Sequence, residues 1–325
     1  MPNRHTIPFS AIDGVQVGNA TDTSSMTGVT VFYFPTPARA AVSVLGGGPA
    51  SRELSLIDLE RCSNPIDALV FSGGSSFGLE ASTGVQACLE KRGIGFDTGY
   101  AVVPLICQSS IYDLGFGSAD VRPDASMGYA ACDEALSSNK PASGSIGAGT
   151  GATVGKPCGM ARAQKSGIGY AAARLGDLMV GVVAVVNAYG DIYHHGRKIA
   201  GLKSESGSGY EDAADALYEM QPENLFTGNT TLAAVFTNGE FSPSELKKIA
   251  NMASAGMARA IRPVFTMADG DTLYALSVGK AGTKADINVA GSLAADLVED
   301  AIADAVKSSS MADEDFLSHI RYQNG

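Results

Sequence analysis

Residues 228–236 of the chain read Gly-Asn-Thr-Thr-Leu-Ala-Ala-Val-Phe. Every residue from Leu232 onward is apolar, so the stretch predicts a strand over residues 231–236 that is buried on both faces. Strands of the same short, apolar character, bounded by glycine or polar turns, are predicted at residues 28–33, 40–44, 68–71, 179–186 and 272–278. Strands that are apolar on both faces indicate a sheet that is covered on both sides.

Helical stretches alternate with these strands. The clearest begins at Ser242, an N-cap residue that is followed by Pro243 at the first helical position and by Glu245 three residues after the cap. Further helices are predicted at residues 79–92, 125–137, 209–220 and 294–306. The alternation predicts an α/β fold. Because no repeat or low-complexity linker divides the sequence, we expect one domain over residues 1–325.

Charge and composition argue against several classes of function. The formal net charge is −11 and the sequence pI is about 4.8, so we expect no nucleic-acid partner and no binding to an anionic membrane. The first ten residues, MPNRHTIPFS, lack the apolar segment of a signal peptide. The longest apolar run, near residues 178–188, is far shorter than the roughly 20 residues of a membrane span.

Cysteine and histidine usage indicates the compartment and the absence of a metal. The five cysteines are odd in number and form no CxxC pair, which favours a reducing, cytoplasmic compartment. Only two of the four histidines, His194 and His195, are adjacent, and no HExxH motif or Cys/His cluster exists. We therefore expect no metal site and no cofactor.

Thr230 and a pair of later acids form the most reactive combination in the sequence. Thr230 stands at the start of its predicted strand, and Asp269 and Asp271 flank one glycine before the strand at residues 272–278. A threonine hydroxyl needs an adjacent base to act as a nucleophile, and two acids can orient a hydroxyl and an amine. The polar, turn-rich stretch 204–227 predicts an exposed flank, which a processing site requires. An ordinary surface loop and an ordinary strand threonine are the alternative interpretation.

A glycine-rich loop at residues 144–156 invites a phosphate-binding interpretation that its details exclude. A Walker motif is broken because Thr150 stands at the first glycine position and Pro157 follows the lysine. The GxGxxA pattern at residues 147–152 has no clear preceding strand and no well-placed acid downstream. A loop that presents backbone N–H groups and Lys156 to a developing oxyanion is as plausible chemically.

Two more glycine-rich turns, at residues 45–49 and 71–78, each follow a predicted strand. Tight turns explain each of them alone. Two such loops at strand ends could also wall a small-molecule cleft.

Together these motifs resemble the L-aminopeptidase/D-esterase family of N-terminal-nucleophile hydrolases, which includes β-peptidyl aminopeptidases and nylon-oligomer hydrolases. Besides Asn229-Thr230 and Asp269-Gly270-Asp271, the resemblance rests on residues 14–22, 38–52, 72–79, 103–114, 147–155, 186–188 and 257–261. Each segment is generic alone, and seven in one order are specific. Many members carry serine after glycine at the nucleophile, so Asn-Thr followed by two aspartates is most similar to the 6-aminohexanoate-oligomer (nylon-oligomer) endohydrolases.

The resemblance implies a four-layer α/β/β/α sandwich and a chain that cuts itself between Asn229 and Thr230 into residues 1–229 and 230–325. It implies Thr230 as the nucleophile. The supporting positions that match are Tyr112, Asn187, Asp269, Asp271 and Lys156, with Lys165 as the competing match for the site lysine. It also implies a small amide or peptide substrate and a homo-oligomer, with a tetramer as the expected form.

The implied mechanism uses one hydroxyl twice. Thr230 Oγ attacks the Asn229 carbonyl carbon, an ester forms, and its hydrolysis frees the Thr230 α-amine, whose reference pKa is about 7.7–8.0. Either this amine or the aspartate pair supplies the base for later turnovers. For the other matched residues, the side-chain NH₂ of Asn187 is a candidate oxyanion donor, Lys156 adds positive charge, and Tyr112 hydrogen-bonds substrate or intermediate.

Several functions compete at this stage. Within an N-terminal-threonine amide hydrolase, the substrates are either 6-aminohexanoate oligomers or short peptides and amides with a free amino terminus, as for an aminopeptidase, a D-esterase or a β-peptidyl aminopeptidase. A non-catalytic small-molecule binding protein and a nucleotide-dependent enzyme are the alternatives from other classes.

Overall fold

A computed structural model describes residues 4–60, 65–219, 228–279 and 282–320. The strands are β1 (Arg4–Thr6), β2 (Gln16–Asp22), β3 (Thr27–Val44), β4 (Ala50–Arg52), β5 (Ile66–Ser72), β6 (Phe96–Asp97), β7 (Val102–Val103), β8 (Ile106–Ser110), β9 (Thr153–Val154), β10 (Gln164–Lys165), β11 (Ile168–Leu175), β12 (Leu178–Asn187), β13 (Asp191–His194), β14 (Arg197–Ala200), β15 (Thr230–Thr237), β16 (Ile261–Arg262) and β17 (Thr272–Ser277). The helices are α1 (Ala81–Glu90), α2 (Ala125–Ser138), α3 (Ala213–Glu219), α4 (Pro243–Ala260), α5 (Ile287–Lys307) and α6 (Asp313–Ser318).

The long strand β3 joins two sheets. Its residues 39–44 pair with β17 in a first sheet of order β1-β11-β12-β15-β17-β3, in which only β15 and β17 run parallel. Its residues 27–33 pair with β2 and β5 in a second sheet of order β2-β3-β5-β8-β4, in which only β5 and β8 run parallel. The two sheets are therefore connected through β3, which is a member of both.

The two sheets pack face to face, and a pair of helices covers each outer face. Alternation along β15 shows this directly, since Phe236 faces the core between the sheets whereas Val235 faces the core under α4 and α5. Between the sheets, the Phe32 ring lies 5.3 Å from that of Phe236 and 5.4 Å from that of Phe71. Helices α1 and α2 cover the second sheet. The predicted α/β/β/α sandwich is confirmed.

The predicted strands at residues 28–33 and 40–44 prove to be one strand, and their separation was wrong. The residues between them include Pro35 and Pro37, which lack a backbone N–H and read as a break. Both prolines are exposed, and they lie where the pairing with β5 shifts between Tyr33 and Ala38. The strand continues through them because no ladder hydrogen bond is needed at the crossing between sheets.

The helix predictions differ from the structure mainly at their ends. The capping box at Ser242 and Glu245 is present, and α4 runs to Ala260. Helix α5 begins two turns before residue 294, where Asp286 accepts hydrogen bonds from two backbone N–H groups. Only Ala213–Glu219 of the predicted helix 209–220 is helical, and residue 220 lies outside the described residues. Within the described ranges no helix is long and apolar enough to cross a lipid bilayer.

Candidate active site

Thr230 is the first residue of β15, and it lies beside the end of the neighbouring antiparallel strand β12. It pairs in register with Asn187, the last residue of β12. Asn229 and Thr230 are 2% and 3% exposed, so the peptide bond between them is buried in the uncut chain. The sheet therefore brings two of the predicted site residues together, although 43 residues separate them in sequence.

The carbonyl oxygen of Asn229 receives two hydrogen bonds. The backbone N–H of Gly270 donates to it at 2.8 Å, and the Thr230 hydroxyl donates to it as well. A parallel bridge between Asn229 and Asp269 holds the two backbone segments side by side. The Asn229 side-chain amide also donates to the Ala268 carbonyl oxygen at 3.2 Å. The nucleophile predicted from the sequence thus lies against the bond that it is expected to attack.

Asp271 is buried beside this bond and accepts hydrogen bonds from backbone groups. Its Oδ1 accepts from the Thr231 N–H at 2.6 Å, and its Oδ2 accepts from the Phe265 N–H at 3.0 Å. Burial and, to a smaller extent, the neighbouring Asp269 carboxylate raise the pKa of Asp271 to about 8. Asp271 therefore fixes the residue that follows the nucleophile.

Asp269 is also buried, and burial raises its pKa. Its Oδ2 accepts from the hydroxyl and the N–H of Thr266, at 2.5 and 3.2 Å, and its Oδ1 accepts from the Tyr189 N–H at 3.4 Å. These contacts attach the Asp269-Gly270-Asp271 loop to Thr266, which precedes it in sequence, and to Tyr189, which follows β12. The two acids lie near the Asn229–Thr230 peptide bond, and their hydrogen bonds hold backbone segments on either side of it.

The triple-glycine turn after β3 holds the Asp269-Gly270-Asp271 loop in place through backbone hydrogen bonds. The N–H of Gly48 donates to the Asp269 carbonyl oxygen at 2.9 Å, and the N–H of Gly46 donates to the Asp271 carbonyl oxygen at 3.1 Å. A Cβ at Gly46 would lie 2.3 Å from the Asp269 carbonyl oxygen, so a side chain there would push the two loops apart. The turn at residues 45–49 thus supports the site through its backbone.

Lys156, Asn187 and Tyr112 form a connected group behind Thr230. Lys156 Nζ donates to the side-chain and backbone oxygens of Asn187, at 2.8 and 3.1 Å. The Asn187 amide nitrogen donates to the Tyr112 carbonyl oxygen at 2.8 Å. Burial lowers the pKa of Lys156 to about 7, although nearby carboxylates, Asp269 foremost, oppose the shift. In the uncut chain the predicted oxyanion donor Asn187 therefore holds the loop of Tyr112.

Lys165, the competing lysine, lies elsewhere. Its Nζ donates to the carbonyl oxygens of Gly149, Ala152 and Ser166. Burial lowers its pKa to about 7. These contacts attach Lys165 to the glycine-rich loop, whereas Lys156 contacts the register partner of Thr230.

The backbone N–H groups of the glycine-rich loop are used within the fold. Those of Gly147 and Ala148 donate to the hydroxyls of Thr21 and Thr30, and the N–H of Thr153 donates to Asn187 Oδ1. The interpretation of this loop as a set of oxyanion donors is wrong for these groups, because each already has a partner. Lys156, at the end of the loop, is the part that reaches the site.

A crevice too narrow to hold a water molecule adjoins Gly228, next to Asn229. Tyr112, Lys156 and Gly228 line it, with Phe116 and Met160 among the apolar contributors. The described part of the upstream flank is exposed from Glu205 to Glu211, as predicted, and residues 220–227 lie outside the described residues. Gly228 and Asn229 themselves are buried.

Two participants were missed from the sequence. Asp113 is buried beside Tyr112, where it accepts from the Gly74 N–H at 2.6 Å and the Thr27 hydroxyl at 2.7 Å, and burial raises its pKa to about 6. Gly270 was treated as a spacer between two acids, whereas its N–H contacts the scissile carbonyl group. The only sequence signal for Asp113 was its position next to Tyr112.

Among the described residues, one group of histidine and acidic side chains is close enough to share a metal ion, namely His194, His195 and Asp300. The imidazole rings of the two histidines lie nearly face to face, 4.0 Å apart. None of the three is a predicted site residue. The buried charges around Thr230 belong to aspartate and lysine side chains.

Comparisons with known proteins identify the family of the chain. A model of peptidase family S58 matches residues 10–315. A 6-aminohexanoate-oligomer endohydrolase of Kocuria sp. (strain KY2) is 33% identical over 320 residues, covering 94% of this chain and 87% of that protein. An uncharacterised aminopeptidase of Mycobacterium tuberculosis (strain ATCC 25618 / H37Rv) is 35% identical over 277 residues, covering 82% and 77%.

Solved structures show the same fold. The L-aminopeptidase D-Ala-esterase/amidase of Ochrobactrum anthropi, described as a variant of the Ntn hydrolase fold, superposes with a TM-score of 0.66 at 17% identity, covering 98% of this chain and 96% of that one. A β-aminopeptidase of Burkholderia sp. superposes with a TM-score of 0.64 at 19% identity, covering 99% and 96%.

Proposed function

We propose that this chain, which belongs to peptidase family S58 and is a hydrolase of peptide or amide bonds, first cuts its own backbone between Asn229 and Thr230. The same hydroxyl then serves as the nucleophile toward substrates. One observation carries the proposal: the Thr230 hydroxyl and the Gly270 N–H both contact the carbonyl oxygen of Asn229, in a buried site.

The cut proceeds through an acyl shift. Thr230 Oγ adds to the Asn229 carbonyl carbon, and collapse of the tetrahedral intermediate breaks the C–N bond. The hydroxyl proton is transferred, in net terms, to the departing nitrogen of Thr230. Water then hydrolyses the ester, leaving a carboxylate on Asn229 and a free hydroxyl and α-amine on Thr230. Turnover repeats the acylation of Thr230 Oγ with a substrate in place of Asn229.

Two buried side chains near Thr230 have pKa values close to neutral pH, as proton transfer to and from a nucleophile requires. Lys156 has a pKa of about 7 and Asp271 a pKa of about 8, so both change protonation near neutral pH. After the cut, the α-amine of Thr230 joins them with a reference pKa of about 7.7–8.0. The amine and the aspartate pair both stay candidates for the general base.

Linear amides of 6-aminohexanoate are the proposed substrates, with short peptides and small amides as the second class. The first class is supported by the 33% identity with a 6-aminohexanoate-oligomer endohydrolase and by the threonine nucleophile followed by two aspartates. The second is supported by the relatives that are called aminopeptidases. Both classes offer a small acyl group to the space that Gly228 and Asn229 occupy before the cut.

The first test is processing. The 33.3 kDa chain should appear on a denaturing gel as two bands, and N-terminal sequencing of the smaller should begin at Thr230. Thr230→Ala should stay uncut and inactive, and Thr230→Ser should still cut. Thr231→Ala is the matched control, since it removes a neighbouring buried threonine hydroxyl and should leave the cut intact. An intact chain with full activity would refute the proposal and favour a binding protein or another mechanism.

The second test is substrate choice. The cut enzyme is incubated with a linear 6-aminohexanoate trimer and, separately, with alanine p-nitroanilide, and new amines are quantified by chromatography. Faster hydrolysis of the trimer supports the first class, and the reverse result supports the second.

We further propose a homo-oligomer, a tetramer in the expected form, and a cytoplasmic location. The reduced cysteines Cys88, Cys107, Cys132 and Cys158 are consistent with that compartment. Light scattering of the cut protein tests the oligomer.

A further inference from the structure

We propose that the backbone N–H of Gly270 is an oxyanion donor, first for the cut between Asn229 and Thr230 and then for each substrate. This inference rests on the proposed function and adds a catalytic group to it. An oxyanion donor must point at the oxygen where charge develops, at hydrogen-bond distance, before the reaction begins. The Gly270 N–H meets this requirement, since it lies 2.8 Å from the Asn229 carbonyl oxygen.

The peptide unit that carries this N–H is held on both sides. On one side, the Asp269 carbonyl oxygen accepts from the Gly48 N–H at 2.9 Å. On the other, the Asp271 carbonyl oxygen accepts from the N–H groups of Leu45 and Gly46, at 2.8 and 3.1 Å. The donor is therefore oriented by the fold and needs no reorganisation when the oxyanion forms.

Position 270 also leaves room only for glycine. A Cβ there would lie 2.7 Å from Thr230 Oγ1 and 2.8 Å from the Gly48 carbonyl oxygen. Any side chain would therefore meet the nucleophile itself. The Asp-Gly-Asp motif thus combines two buried acids with a central residue whose backbone closely approaches the reacting atoms.

The same donor serves both reactions because the two intermediates are alike. In the cut, the acyl group of Asn229 is transferred to Thr230 Oγ; in turnover, the acyl group of the substrate takes the same position. The carbonyl oxygen of either acyl group must lie near the Gly270 N–H for its carbon to face Thr230 Oγ. Asn187, the donor inferred from the family resemblance, donates one hydrogen bond to the Tyr112 carbonyl oxygen before the cut, whereas the Gly270 N–H already donates to the Asn229 carbonyl oxygen.

Replacement of the amide by an ester removes this N–H without adding atoms. The full chain is made by cell-free translation with a suppressor tRNA that carries glycolic acid, which gives Gly270→glycolic acid. Gly93→glycolic acid is the matched control, because it makes the same chemical change just after α1, away from the residues that hold the Gly270 peptide unit, and removes a backbone hydrogen bond of the same length, the 2.8 Å bond to the Glu90 carbonyl oxygen. Processing is followed by mass spectrometry, and circular dichroism establishes that each product is folded.

We expect Gly270→glycolic acid to cut roughly 100 to 1,000 times more slowly than the natural chain, the effect of losing one oxyanion donor. Turnover per cut chain should fall by a similar factor. The Gly93 ester should cut within about tenfold of the natural rate. Equal rates for all three chains would overturn the donor role and leave the proposed function standing. Equal slowing of both esters would assign the effect to the ester linkage in general and also overturn the donor role. A natural chain that does not cut would overturn both proposals.

Discussion

Gly270→Ala tests the close packing around the nucleophile in the most direct way. The added Cβ would lie 2.7 Å from Thr230 Oγ1, 2.8 Å from the Gly48 carbonyl oxygen and 3.2 Å from Pro49 Cα. Ordinary contact begins near 3.4 Å, so the hydroxyl or the facing loop must retreat by roughly 0.7 Å, the difference from the closest approach. Overpacking of this kind costs about 1–3 kcal/mol, and a nucleophile displaced by up to about 1 Å can lose roughly 100-fold in rate.

Two assays separate the loss of stability from the loss of rate. Processing is timed by mass spectrometry after cell-free synthesis. Stability is measured by urea unfolding in a Thr230→Val background, which cannot cut but keeps a methyl group in place of the hydroxyl. Gly209→Ala is the control, because a Cβ at Gly209 meets nothing within 4 Å, and it should change neither quantity appreciably. Natural cutting and unchanged stability in Gly270→Ala would refute the packing argument.

Further predictions concern buried ionisable groups and are measured by urea unfolding in the Thr230→Val background unless stated otherwise. Asp271→Asn should cost about 1–3 kcal/mol, because one amide oxygen cannot serve two backbone N–H groups well and one of them stays unpaired; an unchanged midpoint would contradict it. Lys156 has a folded-state pKa of about 7 and an unfolded value of about 10.4, so the folded chain binds fewer protons between these values. Its contribution to stability therefore rises with pH, by at most about 1.4 kcal/mol per unit. Lys156→Met should remove this contribution and leave that of Lys165, whose pKa is also about 7, so stability should rise less steeply between pH 7 and 10. Lys165→Met should destabilise the chain, because it leaves carbonyl groups without their hydrogen-bond donor. In chains that keep Thr230, cutting is timed by gel, and folded Lys165→Met should cut at the natural rate whereas Lys156→Met should cut slowly. The opposite result would assign the site lysine to Lys165.

The sequence predicted the layers of the fold because burial on both faces leaves a clear pattern. The central residues of β15 and β12 are apolar, and the structure places both strands in the middle of a covered sheet. β3 was divided because its two prolines read as an end to the strand. Proline interrupts a strand where the N–H must pair, and whether it must pair depends on where the neighbouring strands lie. That position is a property of the assembled sheets, which local pattern does not contain.

The site was predictable in its residue types and less so in its contacts. Asp269 and Asp271 were expected to orient a hydroxyl and an amine, and both are buried beside Thr230. Apart from the bond that Asp269 accepts from the Thr266 hydroxyl, their hydrogen bonds come from backbone N–H groups, which have no signature in sequence because every residue except proline carries one. The role of Gly270 was missed for the same reason, because it depends on a backbone N–H. Lys156 and Lys165 also look alike in sequence, and only the return of β12 beside β9 gives Lys156 its contact with Asn187.

The cut itself should change the charge of the site. In the uncut chain, burial and Asp269 raise the pKa of Asp271 to about 8. Cleavage creates an ammonium on Thr230, one residue from the Thr231 N–H that Asp271 contacts at 2.6 Å, and a carboxylate on Asn229. An opposite charge at about 4–6 Å lowers a carboxyl pKa by about 1–3 units, whereas a like charge raises it. We expect the ammonium to outweigh the Asn229 carboxylate, because it lies on the strand that Asp271 contacts, so Asp271 should ionise at lower pH in the cut enzyme. Carbon-13 NMR of labelled aspartate carboxyls, assigned with Asp271→Asn, should show a midpoint near 8 in the uncut Thr230→Val chain and a lower one after cleavage. Identical midpoints in the two forms would mean that the new ammonium does not change the pKa of Asp271. The hypothesis that cleavage activates the aspartate pair would then be wrong.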